Sequence, residues 1–113
     1  MVATAFRERV QEIEEQAELT HDEVAEIVGT SGRTVSRWGT GATVPQPDAR
    51  KRLLELAYVS EQLAKVLKEG ERNAWLFSPN RLLDHDTPAD RIAKGDYRSV
   101  MALIEAMADG IVV

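Results

Sequence analysis

The 113-residue sequence contains no cysteine and only two residues each of Trp, Tyr and Phe. Without cysteine the chain has no disulfide bond, no thiolate metal site and no cysteine nucleophile. It also lacks an apolar run long enough to cross a membrane, and its first residues lack the apolar stretch of a signal peptide. These absences predict a soluble protein of the cytoplasm.

Signatures of catalysis are equally scarce. The sequence has no glycine-rich loop of the kind that binds phosphate, and no nucleophile placed beside a base. Its two histidines, His21 and His85, are far apart, and His85 lies between Asp84 and Asp86 in what is at most a weak metal-binding pattern. We therefore predict that the chain is not an enzyme and holds neither a cofactor nor a metal.

Charge is distributed unevenly along the chain. The net charge of −5 argues against a protein that coats nucleic acid through charge alone. Between Gly29 and Arg52, however, five Arg or Lys residues stand against one acidic residue, Asp48. This basic segment within an acidic protein is a candidate surface for nucleic acid.

The spacing of apolar residues predicts an all-α fold. A first helix is indicated by residues that recur at four, three and four positions: Phe6, Val10, Ile13 and Ala17. A longer helix begins at Pro47-Asp48 and runs to about Lys68. Its apolar surface is broad, which favours either a central helix buried on two sides or a seam for self-association.

Caps and prolines divide the rest of the chain into short helices. One helix is predicted over 71–77, and another begins at Pro79 with Ser78 as its cap. Two more follow within 87–95 and 96–110, each introduced by a capping residue and ended by a glycine.

The segment between the first and the long helix predicts two short helices joined by a tight turn. Thr20 begins a capping box, and Gly29 suits the turn because glycine adopts positive φ at low cost. Ser31 caps the second short helix, in which Val35 and Trp38 face inward. The remaining side chains of that helix therefore face outward.

These positions resemble the Xre/Cro-like repressors, whose helix-turn-helix places its second helix in the DNA major groove. Together with the basic segment they predict a DNA-binding region over 1–46. The predicted DNA contacts, which include the start of the long helix, are Ser31, Arg33, Thr34, Ser36, Arg37, Arg50 and Arg52. The alternative is an ordinary helical hairpin with solvated arginines.

The second half resembles the toxin-binding domain of the MbcA/ParS/Xre antitoxin family, and its mycobacterial branch in particular over 75–83 and 102–110. The residues that carry the resemblance are Trp75, Ser78-Pro79-Asn80, Leu82-Leu83, Pro88, Gly95, Val100, Leu103 and Gly110. Many members have a glycine shortly before the proline step, where this chain has Asp84-His85-Asp86. The conformation of that loop is therefore open.

The resemblance implies a partner and no reaction. Members of this family pair with RES-domain toxins that consume NAD, and their C-terminal region covers the entrance of the toxin's active site. On that basis 47–113 is predicted to be a helical toxin-binding region. The predicted toxin contacts are Arg81, Met107, Gly110, Ile111, Val112 and Val113. The apolar tail could instead pack on its own core.

The leading hypothesis is thus an antitoxin of a type II toxin–antitoxin pair. It occludes the active site of a RES-domain toxin, represses its own operon, and acts as a homodimer within a larger toxin–antitoxin complex. One alternative is a helix-turn-helix regulator without a toxin partner. Another is an interaction module whose helix-turn-helix no longer binds DNA, which the net charge of −5 allows.

Overall fold

The structure, a computed structural model, describes residues 2–111 of the chain. Within that range it contains seven α-helices, one 3₁₀ turn and no strand, which confirms the all-α prediction. None of these helices is long and apolar enough to cross a membrane. The helices are α1 (Val2–Ala17), α2 (His21–Val28), α3 (Gly32–Gly39), α4 (Pro47–Val66), α5 (Arg72–Leu76), α6 (Pro88–Ala93) and α7 (Tyr97–Ala108), with the 3₁₀ turn Arg81–Leu83 between α5 and α6.

The early helices begin and end where local capping predicts. The Thr20 side chain accepts a hydrogen bond from the amide of Glu23, and the Glu23 carboxylate accepts one from the amide of Thr20, so the predicted capping box is confirmed. Gly29 ends α2 in the left-handed conformation with φ of 89°. Ser31 then begins α3 by accepting from the amide of Thr34. These devices leave a turn of only three residues, 29–31, between α2 and α3.

Helix α4 is the centre of the molecule because it packs against both α1 and α7. Its buried residues are Leu53, Leu56, Ala57, Val59, Ser60 and Leu63. The same hydrophobic core includes Val24 of α2 and Val100 of α7, so it is continuous across position 46. The predicted division into 1–46 and 47–113 therefore stays a prediction about which residues meet which partner.

The long helix ends two residues earlier than predicted, at Val66 instead of Lys68. Leu67 adopts an extended conformation, and the Arg72 guanidinium donates to the carbonyl oxygens of Leu67 and Ala64 at 2.8 and 3.2 Å. A side chain from the next helix thus satisfies carbonyls that would otherwise need another helical turn. This contact could not be predicted from the pattern of α4 itself.

The prediction that Ser78 caps a helix beginning at Pro79 was wrong. The Ser78 hydroxyl donates back to the carbonyl of Ala74 near the end of α5. The next helical turn begins at Arg81, and Asn80 caps it by accepting from the amide of Leu82 at 2.9 Å. Asn80 is better suited than Ser78 to begin this turn, because the side-chain oxygen of Asn reaches the backbone amide two residues further along.

Candidate DNA and partner interfaces

Helix α3 is held in place by two buried side chains and by its cap. Val35 is fully buried and Trp38 is 3% exposed. The Ser31 hydroxyl accepts from the amide of Thr34 at 3.1 Å and lies 2.9 Å from the Thr34 hydroxyl. Of the predicted DNA contacts, Ser31 and Thr34 thus already serve to fix the start of the helix.

The outward face of α3 carries two cationic side chains. Arg33 and Arg37 are exposed, while Ser36 between them is half-buried. Within residues 2–111, neither guanidinium forms an ion pair. Guanidinium groups presented from one helix face in this way can bind phosphate or the edge of guanine.

A shallow groove of about 340 Å³ runs beside α3. It lies between the turn before α3 and the loop that leads into α4, so it borders Arg37. The residues that line it are Gly29, Thr30, Thr34, Arg37, Trp38, Thr43, Val44, Gln46 and Ala49. Small and polar side chains predominate, which leaves room for another molecule to approach α3 closely.

The two arginines predicted on α4 have different surroundings. Arg50 is exposed in the first turn of α4. The Arg52 guanidinium pairs with Glu55 at 2.5 Å, and it lies so close to Gly95 that a Cβ there would be 3.2 Å from its Nη1. Arg52 therefore joins α4 to the turn before α7, and a contact of Arg52 with DNA would compete with the Glu55 ion pair.

A second candidate interface is the 3₁₀ turn, which presents two exposed side chains. Arg81 is exposed, and Leu82 is 55% exposed although it is apolar. The turn is closed by the backbone of Asn80, whose amide donates to the carbonyl of Asp86 at 3.0 Å and whose carbonyl accepts from His85 at 2.9 Å. Arg81 and Leu82 are thus displayed by a loop with its own internal hydrogen bonds.

The side chain of Arg91, on α6, holds that loop in place through hydrogen bonds. Its guanidinium donates to the Asp86 carboxylate at 2.8 Å, to the carbonyl of Leu83 at 2.8 Å and to the Asp96 carboxylate at 3.0 Å. Hydrogen bonds from Arg91 and then from Lys94 hold the pKa of Asp86 below its ordinary value. One side chain therefore connects the 3₁₀ turn to the start of α7, a role that sequence reasoning missed.

The segment Asp84-His85-Asp86 adopts an unusual backbone conformation. Asp84 and His85 have φ of 55° and 70°, in the left-handed region that favours glycine. The loop conformation that the sequence left open thus contains two consecutive residues in the left-handed region, where glycine would be less strained. Within residues 2–111, no three His, Asp or Glu side chains are grouped so that they could hold a metal ion.

Helix α7 ends in a tight reversal at Gly110, which has φ of 80°. The amide of Ile111 donates to the carbonyl of Ala106 at 2.9 Å, and the amide of Gly110 donates to Met107 at 3.1 Å. This is a Schellman arrangement, which requires a residue that tolerates positive φ. Ile111 is 57% exposed, while Met107 packs partly against the core. The predicted contacts Val112 and Val113 lie outside the described residues.

A further polar junction joins the two halves of the chain. The Glu18 carboxylate accepts from the amides of Gly70, Arg72 and Asn73, and the Asn73 side chain donates to the carbonyl of Glu18 and to the Glu23 carboxylate. The hydrogen bond from Gly70, followed by those from Asn73 and Arg72, lowers the pKa of Glu18 against the opposing effect of desolvation. The start of α5 is thereby attached to the turn between α1 and α2.

These features define an all-helical protein with a cationic helix face at one place and an exposed loop and helix end at others. Comparison with known proteins identifies its family. The chain is 52% identical over 99 residues to the mycobacterial cidal antitoxin MbcA of Mycobacterium bovis, which is 88% of this chain and 88% of that protein. The same identity and coverage hold for MbcA of Mycobacterium tuberculosis. The chain belongs to the MbcA family of antitoxins.

Two further comparisons agree with this assignment. A probable mycobacterial cidal antitoxin of M. tuberculosis is 34% identical over 92 residues, covering 81% of this chain and 78% of that protein. A chain in the crystal structure of the M. tuberculosis MbcT–MbcA toxin–antitoxin complex superimposes with a TM-score of 0.86 at 48% identity, covering 95% of this chain and 96% of that one. No protein-family model matches the chain.

Proposed function

We propose that this protein is the antitoxin of a type II pair, and that its region 47–113 binds a RES-domain toxin that consumes NAD and occludes its active site. The observation that carries the proposal is the similarity, over nearly the whole chain, to an antitoxin whose crystal structure is that of a toxin–antitoxin complex. The chain itself performs no chemistry in this mechanism. It acts in the cytoplasm, where NAD is available to the toxin.

The end of α7 supports an occlusion mechanism. The Schellman turn at Gly110 directs Ile111 to the surface, where more than half of the side chain remains exposed. An exposed β-branched residue whose backbone is held at a helix end by hydrogen bonds can enter an apolar pocket with little loss of conformational entropy. Gly110, Ile111 and the two valines that follow would then fill the concave nucleotide site of the toxin.

The 3₁₀ turn supplies a second contact in this proposal. Arg81 and Leu82 are exposed side by side on a loop that Arg91 and Asn80 hold in place. Arg is enriched among the residues that dominate the energy of protein interfaces, and a loop that is already held in place loses less conformational entropy on binding. Arg81 would pair with an acidic group of the toxin, and Leu82 would occupy an adjoining apolar surface.

The test compares the full chain with a version that ends at Asp109, each tagged and recovered from its source cells. We expect the full chain to retain a partner that consumes no NAD. The shortened chain should either lose that partner or release its NAD consumption. Arg81→Ala should weaken retention, and Arg33→Ala, which removes an exposed arginine outside the predicted toxin contacts, is the matched control. Recovery of no partner with the full chain, or of a partner that consumes no NAD even after it is separated from the chain, would end the antitoxin proposal.

The N-terminal region is proposed to bind operator DNA and to repress the operon that encodes the pair. The support is the outward face of α3, where Arg33 and Arg37 are exposed and free of ion pairs within the described residues. The basic segment that contains them belongs to a chain of net charge −5, so the cationic side chains are concentrated where the helix face is open. The same observation supports the second candidate, a DNA-binding regulator without a toxin.

Operator binding is tested with single substitutions on α3. Arg33→Ala or Arg37→Ala should weaken binding by about 1–3 kcal/mol if the side chain reads a base. Arg98→Ala on α7 removes the same charge far from α3 and should have little effect. Equal affinity of all three variants and the unmodified chain would show that α3 is not the helix that reads the bases. No operator binding by the unmodified chain would leave an interaction module that does not bind DNA.

A further inference from the structure

A cleft of about 250 Å³ lies where α2 meets α6. Its base is apolar, because Ile27 and Ala89 are only 2% and 4% exposed, and the half-buried Phe77 lines it beside them. Pockets for drug-sized ligands usually enclose about 300–1,000 Å³. This cleft is therefore suited to a smaller group, such as one long side chain.

The charged groups of the cleft are both negative. Glu26 of α2 and Asp90 of α6 line it. Within residues 2–111 the Glu26 carboxylate forms neither an ion pair nor a hydrogen bond. The Asp90 carboxylate accepts from the amide of Thr87 through Oδ2 at 3.2 Å, and its Oδ1 has no hydrogen-bond partner in the same range. Each carboxylate thus has an oxygen that a ligand can reach.

Neighbouring basic side chains of the described residues do not neutralise this charge. Arg91 follows Asp90 in the sequence, but its guanidinium donates to Asp86 and to the carbonyl of Leu83. Lys94 also contacts Asp86, at 3.3 Å. A cation that pairs with both carboxylates of the cleft would therefore have to come from another molecule.

An arginine side chain matches this combination of groups. Its planar guanidinium binds carboxylates and stacks on aromatic rings, while its aliphatic stem packs on apolar surface. The cleft offers two carboxylates, the aromatic side chain of Phe77 and the apolar side chains of Ile27 and Ala89. A free cation would gain little affinity from two exposed carboxylates. An arginine carried by a protein binds more tightly, because the protein also contacts the surface around the cleft.

We propose that the cleft between α2 and α6 receives an arginine side chain of the partner protein, whose guanidinium pairs with Glu26 and Asp90 and whose stem packs on Phe77. Thr87, which also lines the cleft, comes directly after the loop that presents Arg81, so one partner surface can contact both. The inference rests on the proposed function, since it requires a protein partner. It adds α2 to a partner-binding region that was predicted to begin at residue 47.

The test measures the dissociation constant between the tagged chain and the partner that it recovers from its source cells. Glu26→Gln should raise this constant about tenfold, because the guanidinium loses one of its two carboxylates. Ala93→Leu, at an exposed position that lines the cleft, should raise it by a similar factor through steric blocking, without any change of charge. The matched controls are Glu8→Gln and Ala5→Leu at exposed positions of α1, which should leave it unchanged. Thermal unfolding by circular dichroism verifies that all four variants fold.

Phenylglyoxal, a reagent that modifies arginine, identifies the group in the cleft. In the complex with the unmodified chain, one arginine of the partner should resist modification, as located by mass spectrometry. The same arginine should become reactive in complexes with the Glu26 and Ala93 variants. Unchanged affinity in both variants, or no arginine whose reactivity changes, would overturn the inference and leave partner binding intact.

Two further outcomes separate this inference from its alternatives. Saturation of the cleft by free N-acetylarginine amide at micromolar concentration, followed by nuclear magnetic resonance, would make it a small-molecule site and overturn the partner contact. Recovery of no partner by the unmodified chain would end the proposed function, and this inference with it. Retention of the partner together with an unaffected Glu26 variant would instead end only the inference.

Discussion

The segment from α1 to α3 and the segment from α5 to α7 are stabilised in different ways. In the first, helix ends are set by residues that bond to neighbours three or four positions away, as at Thr20 and Ser31. Capping is also present in the second. There, however, the side chains of Arg72 and Arg91 form hydrogen bonds between different elements, and these contacts cannot be predicted from the apolar spacing within any one helix. The difference explains why one region could be predicted in detail and the other only in outline.

The contrast also separates the candidate interfaces. The proposed DNA-binding face belongs to a helix anchored by apolar side chains, Val35 and Trp38. The proposed partner-binding loop at Arg81 depends on a polar network centred on Arg91, which binds Leu83 and Asp86. Substitutions in the first region should therefore change stability through packing, and those in the second through lost hydrogen bonds. Four predictions test this distinction.

The largest effect is expected at the two tryptophans, one in each region. Trp38→Ala removes a side chain that is 3% exposed and should lower the free energy of unfolding by about 3–5 kcal/mol. Trp75→Ala removes one that is only partly buried against the core, and should lower it by about 1–2 kcal/mol. Urea unfolding followed by circular dichroism measures both. Equal losses would show that α5 is packed as firmly as α3.

The second effect is the loss of the long-range hydrogen bonds of Arg72. Arg72→Met keeps most of the aliphatic stem but removes the donors to the carbonyls of Gln16, Ala64 and Leu67. We expect a loss of about 2 kcal/mol in the free energy of unfolding. Arg98→Met, on the exposed side of α7, is the control and should change it little. An unaffected Arg72 variant would mean that the apolar core alone positions α5.

The contacts of Arg72 and Glu18 also show where sequence reasoning ends. Thr20, Gly29 and Ser31 were predicted correctly because each acts on a backbone group within a few positions. The bond from the amide of Arg72 to Glu18 spans 54 positions, and no local pattern encodes it. The positive φ of Glu18, 61°, is seen only in the structure, so the sequence carries no signal for this bond.

At the candidate sites, too, features set by nearby residues could be predicted, and features set by packing between distant residues could not. Exposure of Arg33 and Arg37 follows from the inward positions of Val35 and Trp38, since a helix has a fixed period. The surroundings of Arg52 could not be predicted from the helix pattern in this way. Its ion-pair partner Glu55 is close in sequence, but Gly95 lies near it only because α7 packs on α4. The exposure of Leu82 was also not predictable, since it depends on a 3₁₀ turn that replaced the expected helix.

The third prediction concerns pH and the junction at Glu18. Hydrogen bonds, first from the amide of Gly70, lower the pKa of Glu18 in the folded chain below its ordinary value of 4.5. The unfolded chain therefore binds a proton more readily, so this contribution to stability is complete above that value and is lost as the pH falls through the folded pKa. Glu18→Gln should be less stable than the unmodified chain at neutral pH, and the gap should close in acid.

Thermal unfolding between pH 7 and pH 3 measures this gap. Glu26→Gln on α2 is the control, because Glu26 is exposed and accepts no side-chain hydrogen bond within the described residues. The difference in stability between the Glu26 variant and the unmodified chain should not become smaller as the pH falls. A Glu18 variant whose deficit is the same at every pH would indicate that the lost stability does not come from the ionised carboxylate, because protonation of Glu18 in the unmodified chain would then change nothing.

The smallest effect is expected in the loop that presents Arg81. His85 has φ of 70°, where a residue with a Cβ is strained by roughly 1–2 kcal/mol. His85→Gly removes the strain but increases the entropy of the unfolded chain, which opposes the gain by about 0.5–1 kcal/mol. The net result should be a stabilisation of about 0.5 kcal/mol, and the amide of residue 85 keeps its bond to Asn80.

The matched substitution in the other region is Gly29→Ala, which should have the opposite sign. Gly29 has φ of 89°, and a Cβ placed there would meet no atom within 4 Å, so backbone strain is its main cost. We expect the free energy of unfolding to fall by about 1 kcal/mol. Stabilisation by His85→Gly together with unchanged partner retention would mean that the imidazole is not needed for binding. Stabilisation with weaker retention would instead make His85 a contact whose backbone strain is maintained for the interface.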